Sequence, residues 1–374
     1  MNTKKMVKKL FYSKNYFIFK NKFLNIIYKV MIIIAEYIWI GGNNELRSKT
    51  KVLDIYSNNK YDIDIYPKWN FDGSSTNQAS GKDSEVIIYP RKVYNSPFLN
   101  NSVLIMCDTY TPNDEPLCNN HRFYAEKIFN NNIVENQHPW FGLEQEYFIV
   151  DPENGSPLGF SSERIVTEGQ GKFYCSVGAG KALGRQIAQK HLEYCITSGI
   201  KISGINAEVA PGQWEFQIGP CEGIDAGDDL WMARYIMERV AEEKGYAINW
   251  EPKPVMGDWN GSGCHTNFST LNMRNLKTGD KNGIDYINEA IDKLSKKHEE
   301  HMKVYGSGNE MRMTGLHETA RYDTFTSGIA NRGASLRIGN DNYKNKCGYF
   351  EDRRPSSNCD PYLVTAKMCE TILL

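Results

Sequence analysis

The sequence predicts an α+β protein in two parts: a small, mostly β domain over residues 31–117 and a larger α/β domain over residues 118–374. Three observations carry this. A chain of 374 residues is too long for one small core, so two domains are expected. Up to about Leu117 the apolar residues fall in short β-type runs separated by turn chemistry. After Pro116 the spacing changes to helical periodicity, with strand-like runs between the helices.

In the first part the β runs are Ile32–Ile40, Val52–Ile55, Glu85–Tyr89 and Val103–Cys107. Gly41-Gly42-Asn43-Asn44 and Asn95-Ser96-Pro97 punctuate them. Between them lies Lys68-Trp-Asn-Phe-Asp-Gly-Ser-Ser-Thr76, where Asp72-Gly73 followed by hydroxyls reads as a loop tip. Its aspartate is either a plain Asx turn or a functional carboxylate. In the second part His121–Asn130 and Gly178–Ser198 read as helices, the latter stopped by Gly199. Asp225 caps another helix, running to Lys244 and closed by Gly245. Ile284, Ile287, Ile291 and Leu294 mark an amphipathic helix ending near Gly306. Strands are expected at Lys201–Ile205 and Trp214–Ile218.

Residues 1–30 stand apart. They carry eight lysines among Phe, Tyr and Ile, and no acidic residue precedes Glu36. Transit peptides are rich in Arg and Ser, and a signal peptide or membrane span needs a longer apolar run than Phe23–Ile34, which Lys29 interrupts. This stretch reads as a basic leader without fold value, upstream of a start at Met31, with organelle targeting as the alternative. Apolar content of 40%, charged content of 24% and net charge −1 give no basic surplus for nucleic acid or anionic membrane. Nine cysteines without a CxxC pair suit free thiols in a reducing compartment, so the expected location is cytoplasmic.

Two acidic stretches carry the chemistry. In Trp140-Phe-Gly-Leu-Glu-Gln-Glu-Tyr-Phe-Ile-Val150, strand alternation puts Glu144 and Glu146 on one face, roughly 6.6 Å apart along the strand. Phe148 and Val150 continue that face, and carboxylates in such company need partners. In Asn206–Ile218, Pro211-Gly212 supplies the two central residues of a type II turn. Folding there sets Val209 opposite Trp214 and Glu208 opposite Glu215, a destabilising pair unless a cation lies between them. Both stretches also admit solvated carboxylates.

Other motifs fail. Gly178-Ala-Gly-Lys181 lacks the hydroxyl and upstream glycine of a phosphate loop. His298-Glu-Glu-His301 has the wrong spacing for a zinc helix and reads as a solvated polar face. Cys264 reads as a small core residue. Asp258-Trp-Asn-Gly-Ser-Gly-Cys-His-Thr-Asn-Phe-Ser-Thr270 is glycine-rich, permitting close backbone approach to a ligand, and His265 leads its strand-like end. Downstream come Arg312, Arg321, Arg332, Arg337, Arg353 and Arg354, side chains suited to gripping carboxylate and phosphate. Oxygen ligands, one imidazole and an arginine cluster together point to Mg²⁺ or Mn²⁺ and phosphoryl chemistry on a nucleotide.

The motifs WNFDGSST, FGLEQEY, NAEVAPGQWEFQIGP, NGSGCHTNFST, RMTGLHET, NRGASLRIG and YFEDRRPSSNCDPY, in that order from about Ala35 to the C-terminus, resemble those of eukaryotic-type glutamine synthetases. The resemblance implies a β-grasp N-terminal domain and a catalytic domain whose antiparallel sheet forms a funnel for two or more Mg²⁺ or Mn²⁺ ions. It also implies a homo-oligomer, a decamer of two pentameric rings, with active sites between subunits. Its substrates would be glutamate, ammonia and ATP, giving glutamine through γ-glutamyl phosphate. Glu146, Glu208 and Glu215 would hold one ion, and Glu144, His265 and Glu351 the other. Asn260, Gly261, Arg312, Arg332 and Arg353 correspond to glutamate-binding positions. Glu144, Glu215, Asn267, Phe268, Ser269, Arg332, Arg337, Tyr349, Phe350 and Glu351 correspond to nucleotide contacts. Arg337 would offset charge on the transferring phosphoryl group, Asp72 from the adjacent subunit would deprotonate ammonium, and Glu318 would close the glutamate entrance. Departures are Glu168 and Lys172 where the family carries prolines, and Gly339 in place of another. A ligase for a different amine, or an inactive structural relative, is the competing reading; Asp72 and the complete arginine set favour ammonia.

Overall fold

The computed structural model describes residues 30–160 and 171–374. The basic leader, apart from Val30, and the departure at Glu168 lie outside the described residues. The chain forms two compact units, one ending at Leu117 and the other spanning Cys118–Leu374.

The first unit is a five-stranded sheet of β1 (Met31–Ile40), β2 (Leu46–Ile55), β3 (Trp69–Asp72), β4 (Glu85–Asn95) and β5 (Ser102–Tyr110), in the order β2-β1-β5-β4-β3. β1 and β5 run parallel in the middle, and the other pairs are antiparallel. Ile33, Ala35, Tyr37 and Trp39 alternate along β1 into a core shared with Ile55, Phe71, Val86, Ile88, Val103 and Ile105. The residues before Asp72 form the short strand β3, where Phe71 stacks on Trp39 at 4.4 Å between centroids, and Asp72 caps the turn Gly73–Thr76 that follows.

The second unit is built on a larger mixed sheet in the order β13-β14-β15-β10-β6-β8-β7. Its strands are β6 (Trp140–Val150), β7 (Ile202–Ala207), β8 (Gln213–Glu222), β9 (Ala247–Asn249, paired to β6), β10 (Cys264–Ser269), β13 (Ser327–Ile329), β14 (Leu336–Ile338) and β15 (Phe350–Asp352). A two-residue pair, β11 (Lys277–Thr278) and β12 (Lys281–Asn282), lies apart. Five longer helices accompany the sheet: α1 (His121–Phe129), α2 (Arg185–Ser198), α3 (Asp225–Glu243), α4 (Gly283–Lys296) and α5 (Pro361–Leu373). Along β6 the odd residues face α3, where the Arg234 guanidinium donates to Gln145 Oε1 at 2.6 and 2.9 Å. Beneath them Phe216 packs on His191 of α2 at 4.7 Å. Glu144 and Glu146 therefore project from the opposite face.

Three expectations are corrected. The helix expected from Gly178 begins at Arg185, because Gly178 and Gly184 adopt φ of +113° and +83° and turn the chain. The amphipathic helix ends at Lys296, followed by a separate short helix at His298–Met302. His298 and His301 are buried there, not solvated. His298 donates to the Tyr322 carbonyl (2.9 Å) and accepts from Arg354, while His301 bonds the Tyr305 and Thr371 hydroxyls. All nine cysteines are free thiols; Cys118 and Cys175 are exposed, Cys347 is half-buried and the other six are buried. Among the described residues no helix is long and apolar enough to cross a membrane.

Candidate active site

The site grows out of strand register. On the face of the larger sheet opposite α3, Glu144 of β6 lies directly across from His265 of β10, and Glu146 across from Glu215 of β8. Glu351 of β15 pairs with Asn267 on one side and with Arg337 of β14 on the other. The Pro211-Gly212 turn forms as expected, with Gly212 at φ +70° and the Gln213 amide donating to the Ala210 carbonyl at 3.2 Å. The register beyond it is displaced by two residues. Asn206, not Glu208, lies opposite Glu215, and the Glu208 amide donates to the Gln213 carbonyl. A displacement of two leaves every side chain on its face, so Glu208 still meets Glu215, diagonally. The result is two groups of three ligands. One ligand atom each from Glu146, Glu208 and Glu215 lies within 4.8 Å of the others, and the same holds for Glu144, His265 and Glu351.

The two groups differ electrically. Burial and mutual repulsion raise the carboxyls of the first: Glu146 to about 7, Glu215 to about 8 and Glu208 to about 10. Their hydrogen bonds are few. The Gly263 amide donates to Glu146 at 2.8 Å, the Asn206 amide group donates to Glu208 at 2.9 Å, and Gln217 donates to Glu215. In the second group Arg337 and Arg353 grip the two oxygens of Glu351 at 2.8 and 2.6 Å, and Asn267 donates to Glu144 at 2.7 Å. Burial, with Arg353 nearby, pushes His265 well below the ordinary imidazole range, so it is neutral and has a ring nitrogen free to ligate. Crowded buried carboxylates, and a neutral imidazole between two carboxylates, fit hard divalent cations.

Both groups open into a cavity of about 560 Å³, also lined by Asn260, Gly261, Arg312, His317, Glu318, Arg332, Arg337 and Arg353. Arg312 is fixed by donating to the backbone carbonyls of Arg353 (3.1 Å) and Arg354 (2.7 Å), and burial lowers it to about 10. Arg321 and Arg354 do not join them. Arg321 pairs with Asp323 on the surface, and Arg354 is fully buried against Asp352 at 2.7 Å. A second cavity of about 580 Å³, mainly apolar, shares Glu144 and Gln217 with the first. Asn267, Phe268, Ser269 and Tyr349 line it, whereas Phe350 is buried against Phe268.

Sequence reasoning missed two residues of this second cavity. Trp140 presents an indole with the Arg274 guanidinium 4.0 Å from its ring centre, and its Nε1–H donates to Glu222. Trp140 stands in an aromatic run that hides it, and nothing local marks Arg274. Asp72, in the first unit, is exposed at the end of β3, and the Ser74 amide (3.0 Å) and the Ser74 and Ser75 hydroxyls (2.7 and 3.1 Å) donate to its carboxylate. Those bonds, the Ser74 hydroxyl foremost, hold its carboxyl below the usual range.

A family model described as the catalytic domain of glutamine synthetase matches residues 120–374. The chain is 54% identical over 343 residues to a putative glutamine synthetase of Acanthamoeba polyphaga mimivirus, covering 91% of this chain and 94% of the relative. It is 53% identical over 344 residues to a nodule isozyme of glutamine synthetase from Lupinus luteus, covering 91% and 95%. To a cytosolic isozyme from Oryza sativa subsp. japonica it is 51% identical over 344 residues, covering 91% and 94%. Among solved structures, apo GmaS without ligand superposes with a TM-score of 0.69 at 18% identity, covering 92% of this chain and 77% of that one, and shares the fold.

Proposed function

The chain belongs to the glutamine synthetase family and joins ammonia to L-glutamate at the expense of ATP, and from that premise we propose how its residues divide the work. Glu146, Glu208 and Glu215 would hold one divalent cation, and Glu144, His265 and Glu351 a second, Mg²⁺ or Mn²⁺ in each case. Bound there, the cations supply Lewis acidity and offset charge on the phosphates of ATP.

Arg312, Arg332 and Arg353, with Asn260 and Gly261, bind and orient glutamate so that its γ-carboxylate attacks the terminal phosphorus of ATP. ADP leaves and γ-glutamyl phosphate forms, because a bare carboxylate is too poor an electrophile for ammonia. Arg337, held at Glu351, faces the transferring phosphoryl group. The nucleotide takes the apolar cavity, with Asn267, Phe268, Ser269 and Tyr349 around it and the Trp140 indole as a stacking surface for its base. Asp72 accepts the proton that ammonium must lose before it attacks the acyl carbon and expels phosphate. Glu318 covers the cavity against water while the acyl phosphate exists.

The parallel β1–β5 pair flanked by antiparallel partners supports reading the first unit as a β-grasp domain. We place the chain in a decamer of two pentameric rings, with Asp72 delivered by the adjacent subunit, and in the cytoplasm, as for its cytosolic relatives. The observation that carries the mechanism is the pair of three-ligand groups in one arginine-rimmed cavity. γ-Glutamyl hydroxamate formation and ATP hydrolysis, assayed with Mg²⁺ and with Mn²⁺, test it. Both activities should require the cation, and a chelated enzyme at full rate would sink the assignment.

A further inference from the structure

The segment that carries Glu318 is built against its own backbone preferences. His317 and Glu318 are consecutive residues with side chains, yet they adopt φ of +53° and +59°. This left-handed region is unfavourable for such residues and persists only where surrounding contacts impose it. The turn is closed by Thr319, whose amide and hydroxyl donate to the Leu316 carbonyl at 3.1 and 2.9 Å, and two further contacts fix it against the cavity wall. The Glu318 carbonyl accepts from Arg353 Nη2 at 3.2 Å, and His317 Nε2 lies 3.0 Å from Asp258 Oδ1. Asp258 belongs to the loop that also supplies Asn260 and Gly261 to the cavity. That loop is itself fixed: Lys253 donates to the carbonyls of Gly257 and Trp259 on either side of Asp258, and Trp259 packs edge-on against Phe160 at 5.0 Å. The backbone of Asp258 is thus held by its loop while its side chain, 95% exposed, reaches out to His317, whose neighbour Glu318 lines the cavity.

We propose that His317, through Asp258, is a positioning residue that holds Glu318 over the cavity, so that breaking this tie uncouples ATP cleavage from glutamine formation. The inference rests on the ligase reading above. With Glu318 displaced, water replaces ammonia as the nucleophile: it attacks the acyl carbon of γ-glutamyl phosphate, the acyl C–O bond breaks, phosphate leaves and glutamate is regenerated, with ADP already formed.

The test measures ADP and glutamine in the same reaction of the full chain, for wild type, Asp258→Ala, Asp258→Asn and His317→Asn. Asparagine tolerates the left-handed backbone, so His317→Asn removes the tie without forcing the turn to rearrange. Asp258→Ala and His317→Asn should raise the ADP-to-glutamine ratio at least about threefold and raise the KM for glutamate. Asp258→Asn, which keeps an oxygen facing His317, should return the ratio to near the wild-type value. A wild-type ratio in Asp258→Ala, or parallel loss of both products at an unchanged ratio, would overturn the proposal. Wild-type enzyme that makes no glutamine would instead overturn the ligase reading.

Discussion

Replacing Glu208 by Gln separates what the first ligand group does for function from what it does for stability. The side chain keeps its size, but one of three crowded, buried carboxyls loses the ability to ionise. Without divalent cations the variant should melt at or above the wild-type temperature, because a neutral amide at this position no longer has to take up a proton on folding as Glu208 does, while ligase activity falls by about 10²-fold or more. Calorimetry in chelator beside a hydroxamate assay measures both, and a variant less stable than wild type in chelator contradicts the electrostatic account. Asp72→Ala is the complementary case, since its carboxylate is exposed and accepts from the serines Ser74 and Ser75 just after it. Removal should leave the fold and the production of γ-glutamyl phosphate intact and cut glutamine output by about 10²-fold. Wild-type turnover with ammonia would take Asp72 out of the mechanism.

Strand β6 shows which parts of such a site a sequence discloses. Alternation at period two puts Glu144 and Glu146 on one face, and the sheet register then sets them opposite His265 and Glu215. The hairpin register was not legible, because the loop before Gln213 takes two more residues than the tightest turn; the error left the outcome intact since it was even. Seven residues of supposed helix before Arg185 were misread because apolar spacing does not register glycines at positive φ. His298 and His301 were misread because their burial depends on Tyr305, Tyr322, Arg354 and Thr371, distant in the chain or unmarked by local pattern. The same blindness hid Arg274, 134 positions from the indole it covers. At this scale we expect Trp140→Ala to raise the KM for ATP about tenfold with little change in kcat, since an aromatic platform for a base contributes about 1–3 kcal/mol. Steady-state kinetics at saturating glutamate decides it, and an unchanged KM would remove the indole from the nucleotide site.

For the molecule as a whole, the raised carboxyls tie stability and cation binding to pH. A carboxyl that holds its proton more tightly folded than unfolded contributes stability below about pH 4.5, and that contribution is lost as pH rises through its folded value. For Glu146 and Glu215 the loss spans about 7 and about 8, and for Glu208 it extends to about 10. Cation-free protein should therefore melt progressively lower from pH 5 to pH 8. Because a cation must displace those protons, its affinity should rise at least about tenfold between pH 6 and pH 8. Calorimetric titration with Mn²⁺, with proton release measured in two buffers, checks both the sign and the size. An affinity independent of pH would mean that these groups are already ionised.

The distribution of sulfur has a practical consequence. With Cys118 and Cys175 exposed and six of the nine thiols sealed inside, a maleimide added to the intact protein should modify the two outer positions quickly. The inner six should react only as fast as the surrounding structure opens. Cys264, beside His265, and Cys359, beside Asp360, would then serve as built-in clocks: mass increments accumulating there over hours report how often the interior beneath the acidic face breathes, with no probe to engineer.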